Sequence, residues 1–143
     1  MQDFPVSWSA QWIASPVIGG PRVLTPAPFF RKGFKIDGTI RSAVLHITAL
    51  GLFEAEINGR VVGDDVFAPG WTDYKKRVYF RSHDVMALLS EGENAIGVIL
   101  ADGWYAGHVA WRDREAYGER PLLLAQLEIT RADGTVQRVG LPG

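Results

Sequence analysis

The sequence predicts an all-β fold, a β-sandwich of two packed sheets with one short helix, on three observations. Sixteen glycines and eight prolines cut the chain into short segments. Most of these alternate apolar and polar residues with period two, as a strand with one buried face does. Asn58-Gly59 and Asp133-Gly134 read as hairpin turns, because these residue types tolerate positive φ. A continuous apolar run, AIGVIL at 95–100, has the character of a central core strand.

Residues 1–28 form a leading segment expected to pack on the sandwich, which itself occupies 29–143. Within that segment SPVIGGPRVLTPAP (15–28) reads as a long ordered loop. The first strand is expected at 29–36, with Phe30, Phe34 and Ile36 on one face. In SAVLHITAL (42–50), Ala43, Leu45, Ile47 and Ala49 share one face while Val44, His46, Thr48 and Leu50 share the other. FEAEI places Phe53, Ala55 and Ile57 inward and Glu54 and Glu56 toward water, and Val61 and Val62 begin the return strand after Asn58-Gly59. A strand is expected at 77–81 from Val78 and Phe80. Asp84 then caps a short helix, VMALL, whose Val85, Leu88 and Leu89 form one apolar stripe to plug an end of the core, and Gly92 stops it. Strands at 95–100, 122–130 (Leu123, Ala125, Leu127, Ile129) and 135–139 complete the set. No internal repeat or low-complexity segment is present.

At 143 residues the chain has the size of one domain. A formal net charge of −1 with no basic run argues against nucleic acid or an anionic membrane as partner. No cysteine is present, which fits the cytoplasm slightly better but permits a periplasmic or secreted protein. MQDFPVSWSA lacks the basic start and apolar stretch of a signal peptide, and no run is long enough to span a bilayer. A soluble chain is expected.

Glu54 and Glu56 are the first candidates for chemistry. Residues i and i+2 on a strand lie about 6.6–6.8 Å apart, inside the roughly 6.5–9.5 Å that separates the acids of an inverting glycosidase. Ordinary outward alternation explains them better, since nothing nearby is placed to raise one pKa and leave the other low. His46, His83 and His108 are too scattered for a metal signature, and no nucleophile or phosphate-loop motif occurs. Asp64, Asp65, Asp73 and Asp102 fall in loops beside glycine or aromatic residues, where oxygens could jointly hold calcium. EF-hand spacing is absent and turn-forming aspartate is the simpler account. Asp64 and Asp65 stand as the metal candidates, and no cofactor other than calcium comes into question.

The aromatic loops carry the stronger signal. A sugar presents an apolar C–H face that packs on Trp or Tyr, with its hydroxyls left for polar groups at the rim. PGWTDY (69–74) and DGWYAGHVAWRDREAYG (102–118) offer that mixture through Trp71, Asp73, Tyr74, Asp102, Trp104, Tyr105, Trp111 and Arg112. These are candidates for carbohydrate binding or for docking a neighbouring domain. For Trp71 and Trp104 the favoured alternative is sealing the end of the sandwich. Trp111, flanked by Arg112, Asp113 and Arg114, is expected to be exposed.

The series WSAQWI, FFRKGF, ALGLFEAEINGRVVGD, APGWTDYKKRVYF, DVMALLSEGENAIGVILADGWYAG and YGERPLLLAQLEITRADGT resembles the amino-terminal domain of bacterial α-L-rhamnosidases of glycoside hydrolase family 78, in the family's order over residues 8–137. The resemblance implies a jelly-roll β-sandwich related to galactose-binding domains. It lies beside an (α/α)6 barrel that hydrolyses terminal α-linked rhamnose with inversion and holds the catalytic carboxylates. Implied partners are that barrel, other β-domains of the same enzyme and rhamnose-containing glycosides. Related sandwich modules bind L-rhamnose with calcium, but no position here inherits that role. Family members continue past DGTVQRV with a stretch containing an aspartate and a tryptophan, whereas this chain ends in GLPG. The resemblance therefore implies a sandwich cut short at its C-terminal end, with an unpaired sheet edge prone to association.

Three readings follow in order: a non-catalytic rhamnosidase module, an autonomous calcium-assisted rhamnose-binding module, and a small glycosidase acting through Glu54 and Glu56 or loop aspartates.

Overall fold

The computed structural model describes residues 6–141; the ends of the leading segment (1–5) and of the sandwich (142–143) lie outside the described residues. Among the described residues, eight strands form two antiparallel four-stranded sheets. They are β1 (Phe29–Ile36), β2 (Ile40–Leu50), β3 (Leu52–Ile57), β4 (Arg60–Val61), β5 (Arg81–Asp84), β6 (Gly92–Ala101), β7 (Leu122–Arg131) and β8 (Val136–Gly140). One sheet has the order β1-β6-β3-β4 and the other β5-β2-β7-β8. The chain passes repeatedly from one sheet to the other, the jelly-roll arrangement expected.

The alternation sorts side chains as the sequence requires. Ile36, Leu45, Ile47, Ile57, Val98, Leu100, Leu123, Leu127 and Ile129 are wholly buried between the sheets. Each such side chain contributes about 1.5–3 kcal/mol by leaving water. Asn58 and Gly59 have φ of 52° and 74°, the paired positive values of a two-residue hairpin. Asn58 also fixes the corner it makes: its Nδ2 donates to Leu88 O and Asn94 Oδ1, and its Oδ1 accepts from Ala95 N–H. Asn94, buried at the start of β6, is satisfied by this network together with Ser90 and Gly92.

Strand β7 is buried on both faces for much of its length. Its outer face is covered by the leading segment. Ile13 pairs with Leu123 through two backbone bonds of 2.8 Å. The buried Gln126 acts as a clamp: its Oε1 accepts from Ser9 N–H (2.7 Å), Ser9 Oγ–H (2.9 Å) and Ala10 N–H (3.0 Å), and its Nε2 donates to Ser7 O (3.0 Å).

Three expectations need correction. The strand foreseen at 77–81 is displaced, β5 being Arg81–Asp84, paired with Val44–Ile47 of β2. Thr48, the next residue of β2, donates its hydroxyl to Tyr79 O, so a side chain occupies that acceptor in place of a ladder partner. Phe80 does not enter the core but meets Trp8 edge-on at 5.9 Å. The short helical segment foreseen after Asp84 is present as a single 3₁₀ turn, Met86–Leu88. Asp84 still accepts Met86 N–H at 3.0 Å, but Leu89 is already extended, so one turn is all that forms. Val85 is nonetheless buried, with Leu88 and Leu89 packed on the core. Finally, the return strand after the hairpin has only two residues, Arg60 and Val61. A second helical turn, α1 (Gly103–Ala106), stands where a loop was expected.

Candidate functional site

Beyond the end of β6 the chain cannot continue as a strand. Gly103 has φ +52°, and a Cβ there would lie 2.8 Å from the Leu52 side chain and 3.1 Å from the Gly51 backbone. Only glycine fits, and the turn it starts presents Trp104 and Tyr105 in succession toward the loop 67–74. Trp104 stacks on Trp71, centroids 5.8 Å apart and planes within 8°. Tyr105 meets Tyr74 edge-on at 5.3 Å, and Tyr117 closes the group, 5.1 Å from Tyr74 and 6.4 Å from Tyr105. The two sequence motifs are thus one interlocked rim. Burial raises the Tyr74 phenol above its ordinary pKa, with the Tyr117 oxygen adding to the effect.

The outer part of this rim is open. Trp71 is 51% exposed, and Phe67, edge-on to Trp104 at 6.3 Å, is 66% exposed. Neither Trp71 nor Trp104 belongs to the buried core between the sheets. The end-sealing role favoured from sequence is corrected accordingly, because the rings satisfy each other outside the sandwich. Phe67 has φ +57°, a conformation a bulky residue adopts only when its surroundings enforce it. Beside it a shallow recess of about 290 Å³ is lined by Leu52, Phe53, Glu54, Asp65, Val66, Phe67, Ile99 and Ala101. A neighbouring recess of about 210 Å³ also touches Glu54 and Asp65 and reaches His83.

The remaining candidates disperse. Asp102 is not presented to solvent as a free acceptor, since the buried Arg114 guanidinium donates to its carboxylate. Asp73 shapes its own turn, accepting Lys75 N–H at 3.2 Å and pairing with Lys76 at 3.6 Å. Trp111 is 98% exposed, as expected, and Arg112 is exposed beside it. Asp64 is exposed, while Asp65 pairs with Arg81 (3.3 Å) and His83 (3.4 Å). Among the described residues no group of three or more His, Asp or Glu gathers in a way that could hold a metal ion. Glu54 stands exposed and Glu56 half-buried on the outer surface of β3. His46 and Ser82 share a hydrogen bond of 2.8 Å on the opposite sheet.

Sequence reasoning missed Phe67, Val66 and Arg114. A Val-Phe pair before a proline was legible as a loop tip with no polar use for its rings. Arg114 carried no signal, because in WRDRE it is indistinguishable from solvated neighbours.

These features define a class: a small antiparallel jelly-roll module whose loops expose aromatic rings at one rim. Residues 38–141 match the family described as "Alpha-L-rhamnosidase N-terminal domain", and the chain belongs to that family. It is 46% identical over 132 residues to an α-L-rhamnosidase of Streptomyces avermitilis and 40% identical over 135 residues to one of Formosa agariphila, matches that take in 92% and 90% of this chain. The chain spans only 13% and 15% of the length of those two relatives. Among solved structures, the S. avermitilis α-L-rhamnosidase complexed with L-rhamnose superposes with TM-score 0.80 at 48% identity, covering 82% of this chain and 12% of that one. The native α-L-rhamnosidase of Aspergillus terreus superposes with TM-score 0.81 at 38% identity, covering 90% and 15%. The family and fold implied by the sequence resemblance are thereby borne out. No helix among the described residues is long and apolar enough to cross a membrane.

Proposed function

We propose that this chain is a non-catalytic module of an α-L-rhamnosidase. In this reading it supports the catalytic barrel and other β-domains of that enzyme, and it contacts rhamnosylated carbohydrate through its aromatic rim. The observation that carries the carbohydrate role is the Trp71–Trp104 stack. One ring fixes the other, and more than half of Trp71 is left to water. A pre-positioned indole face receives the C–H face of a sugar with little ordering cost. Glu54 at the adjacent recess is a suitable acceptor for a hydroxyl.

Two further observations weigh against the alternatives. Asp65 already serves Arg81 and His83, which favours ring stacking over an ion-mediated site. Glu54 and Glu56 lie on the outer surface of β3, Glu54 exposed at the edge of shallow recesses and not enclosed in a water-excluding pocket. Bond cleavage is therefore assigned to polypeptide beyond this module.

Titration with L-rhamnose, followed by tryptophan fluorescence, tests the carbohydrate role. A saturable change is expected that persists with a chelator and disappears in Trp71→Ala. A flat response at high millimolar sugar leaves the module with packing alone, and a response abolished by chelator moves the site to calcium.

A further inference from the structure

A second exposed feature lies apart from the rim. Trp111 at 98% and Leu24 at 76% are among the most exposed apolar side chains of the protein, and Val17, Ile18 and Val23 are exposed with them. They come from two loops distant in sequence, yet one buried residue holds the loops together. Arg114 Nη1 donates to the carbonyls of Gly20 (3.1 Å) and Val23, and its Nη2 to the Asp102 carboxylate. Its Nε–H is buried with no partner, so that one donor sits there at an uncompensated cost. Arg22 and Asp113 bridge the same loops on the outside at 3.7 Å.

Each loop is also set locally. Arg112 N–H donates to Val109 O at 3.1 Å, and His108 Nδ1 bonds Arg112 O at 3.0 Å, so Trp111 sits within a closed turn. Ala110 takes φ +53° to make that turn. Across from it, Val23 N–H donates to Gly20 O at 3.1 Å. An apolar projection braced in this way is a pre-ordered anchor, the kind of residue that dominates protein interfaces once a partner excludes water from it. Neither recess beside Glu54 reaches it, and nothing covers either face of the Trp111 ring. A sugar site would need acceptors and donors arranged around the ring.

We propose that the paired loops 17–24 and 108–113 form a docking knob that seats in an apolar cleft with a carboxylate rim, on another domain of the same rhamnosidase polypeptide. The inference rests on the module reading above and deepens it by naming the face that joins the module to the rest. Two observations select this occupant. The chain accounts for only 12% and 15% of the two related enzymes named above, so most of such a polypeptide lies outside it. With Arg22 paired to Asp113, the exposed Arg112 is left as the excess cation at the projecting edge, which calls for a carboxylate opposite.

Hydroxyl-radical footprinting of the full-length enzyme, read residue by residue by mass spectrometry, is the test. In native enzyme Trp111 is expected to be oxidised about ten-fold or more slowly than in the same enzyme unfolded in denaturant, as for a ring in a water-excluding interface. Labelling of Trp111 at the unfolded rate overturns the proposal. So does protection that vanishes on dilution, which indicates a second copy, or protection seen only with L-rhamnose present, which indicates a ligand site. Hydrolysis of an aryl rhamnoside by the same preparation separates the two readings. An active enzyme with freely labelled Trp111 sinks the docking face alone. An inactive one with protected Trp111 sinks the rhamnosidase reading and supports the docking face.

Discussion

Trp71 and Trp104 lie parallel and offset, centroids 5.8 Å apart and planes within 8°, although they come from different loops. Each positions the other. Replacing Trp71 by alanine therefore removes the outer ring and the support of the inner one. The expected loss is about 0.5–1.5 kcal/mol beyond the area term for an aromatic pair, measured by denaturant unfolding. Under the proposed carbohydrate role, a fluorescence response to L-rhamnose is expected to go with it.

Arg114 gives a sharper stability prediction. Its guanidinium is buried and paired with Asp102, so Arg114→Met leaves a partly buried carboxylate without its cation. Breaking a buried pair from one side costs about 3–5 kcal/mol. The double variant Arg114→Met/Asp102→Leu is expected to recover part of that loss, and equal instability of the single and double variants contradicts the pairing argument.

Gln126 holds the leading segment to β7. Gln126→Ala strips the acceptor from the amides of Ser9 and Ala10. An unmet polar partner costs about 1–3 kcal/mol, so these two amides are expected to exchange hydrogen faster while the β2–β7 amides remain protected.

His46 gives the pH dependence. Burial lowers its pKa below the ordinary 6.5, partly offset by the Glu128 carboxylate, and its ring lies edge-on to Trp8 at 6.2 Å. The unfolded chain then binds a proton more readily than the folded one. This contribution to stability is full above pH 6.5 and is lost as pH falls through the lower folded value. Unfolding midpoints are expected to drop with acidification in that window, and His46→Asn to flatten the slope there.

Much of the sandwich was legible because burial acts on alternate residues. Ala43, Leu45, Ile47 and Ala49, or Leu123, Leu127 and Ile129, declare a buried face without help from elsewhere in the chain. The hairpin at Asn58-Gly59 was legible for an equally local reason, the positive φ of both residues. Strand β5 was misplaced because Phe80 is apolar for a contact other than the core, packing on Trp8, while the backbone carbonyl of Tyr79 is taken by the Thr48 side chain instead of a ladder partner. At the rim the right residue types were visible but not their pairing. Whether Trp104 meets the core or Trp71 depends on how two loops approach each other. Arg114 was illegible for the same reason, since its partners Gly20, Val23 and Asp102 converge only in the folded chain.

The proposed division of labour between this module and the rest of a rhamnosidase polypeptide is tested most directly by turnover of an aryl rhamnoside in the full-length enzyme carrying Glu54→Gln and Glu56→Gln together. An unchanged kcat is expected, because the proposed role leaves bond cleavage outside this module. A fall of about 10²-fold or more, the loss typical of a missing general acid or base, contradicts the account.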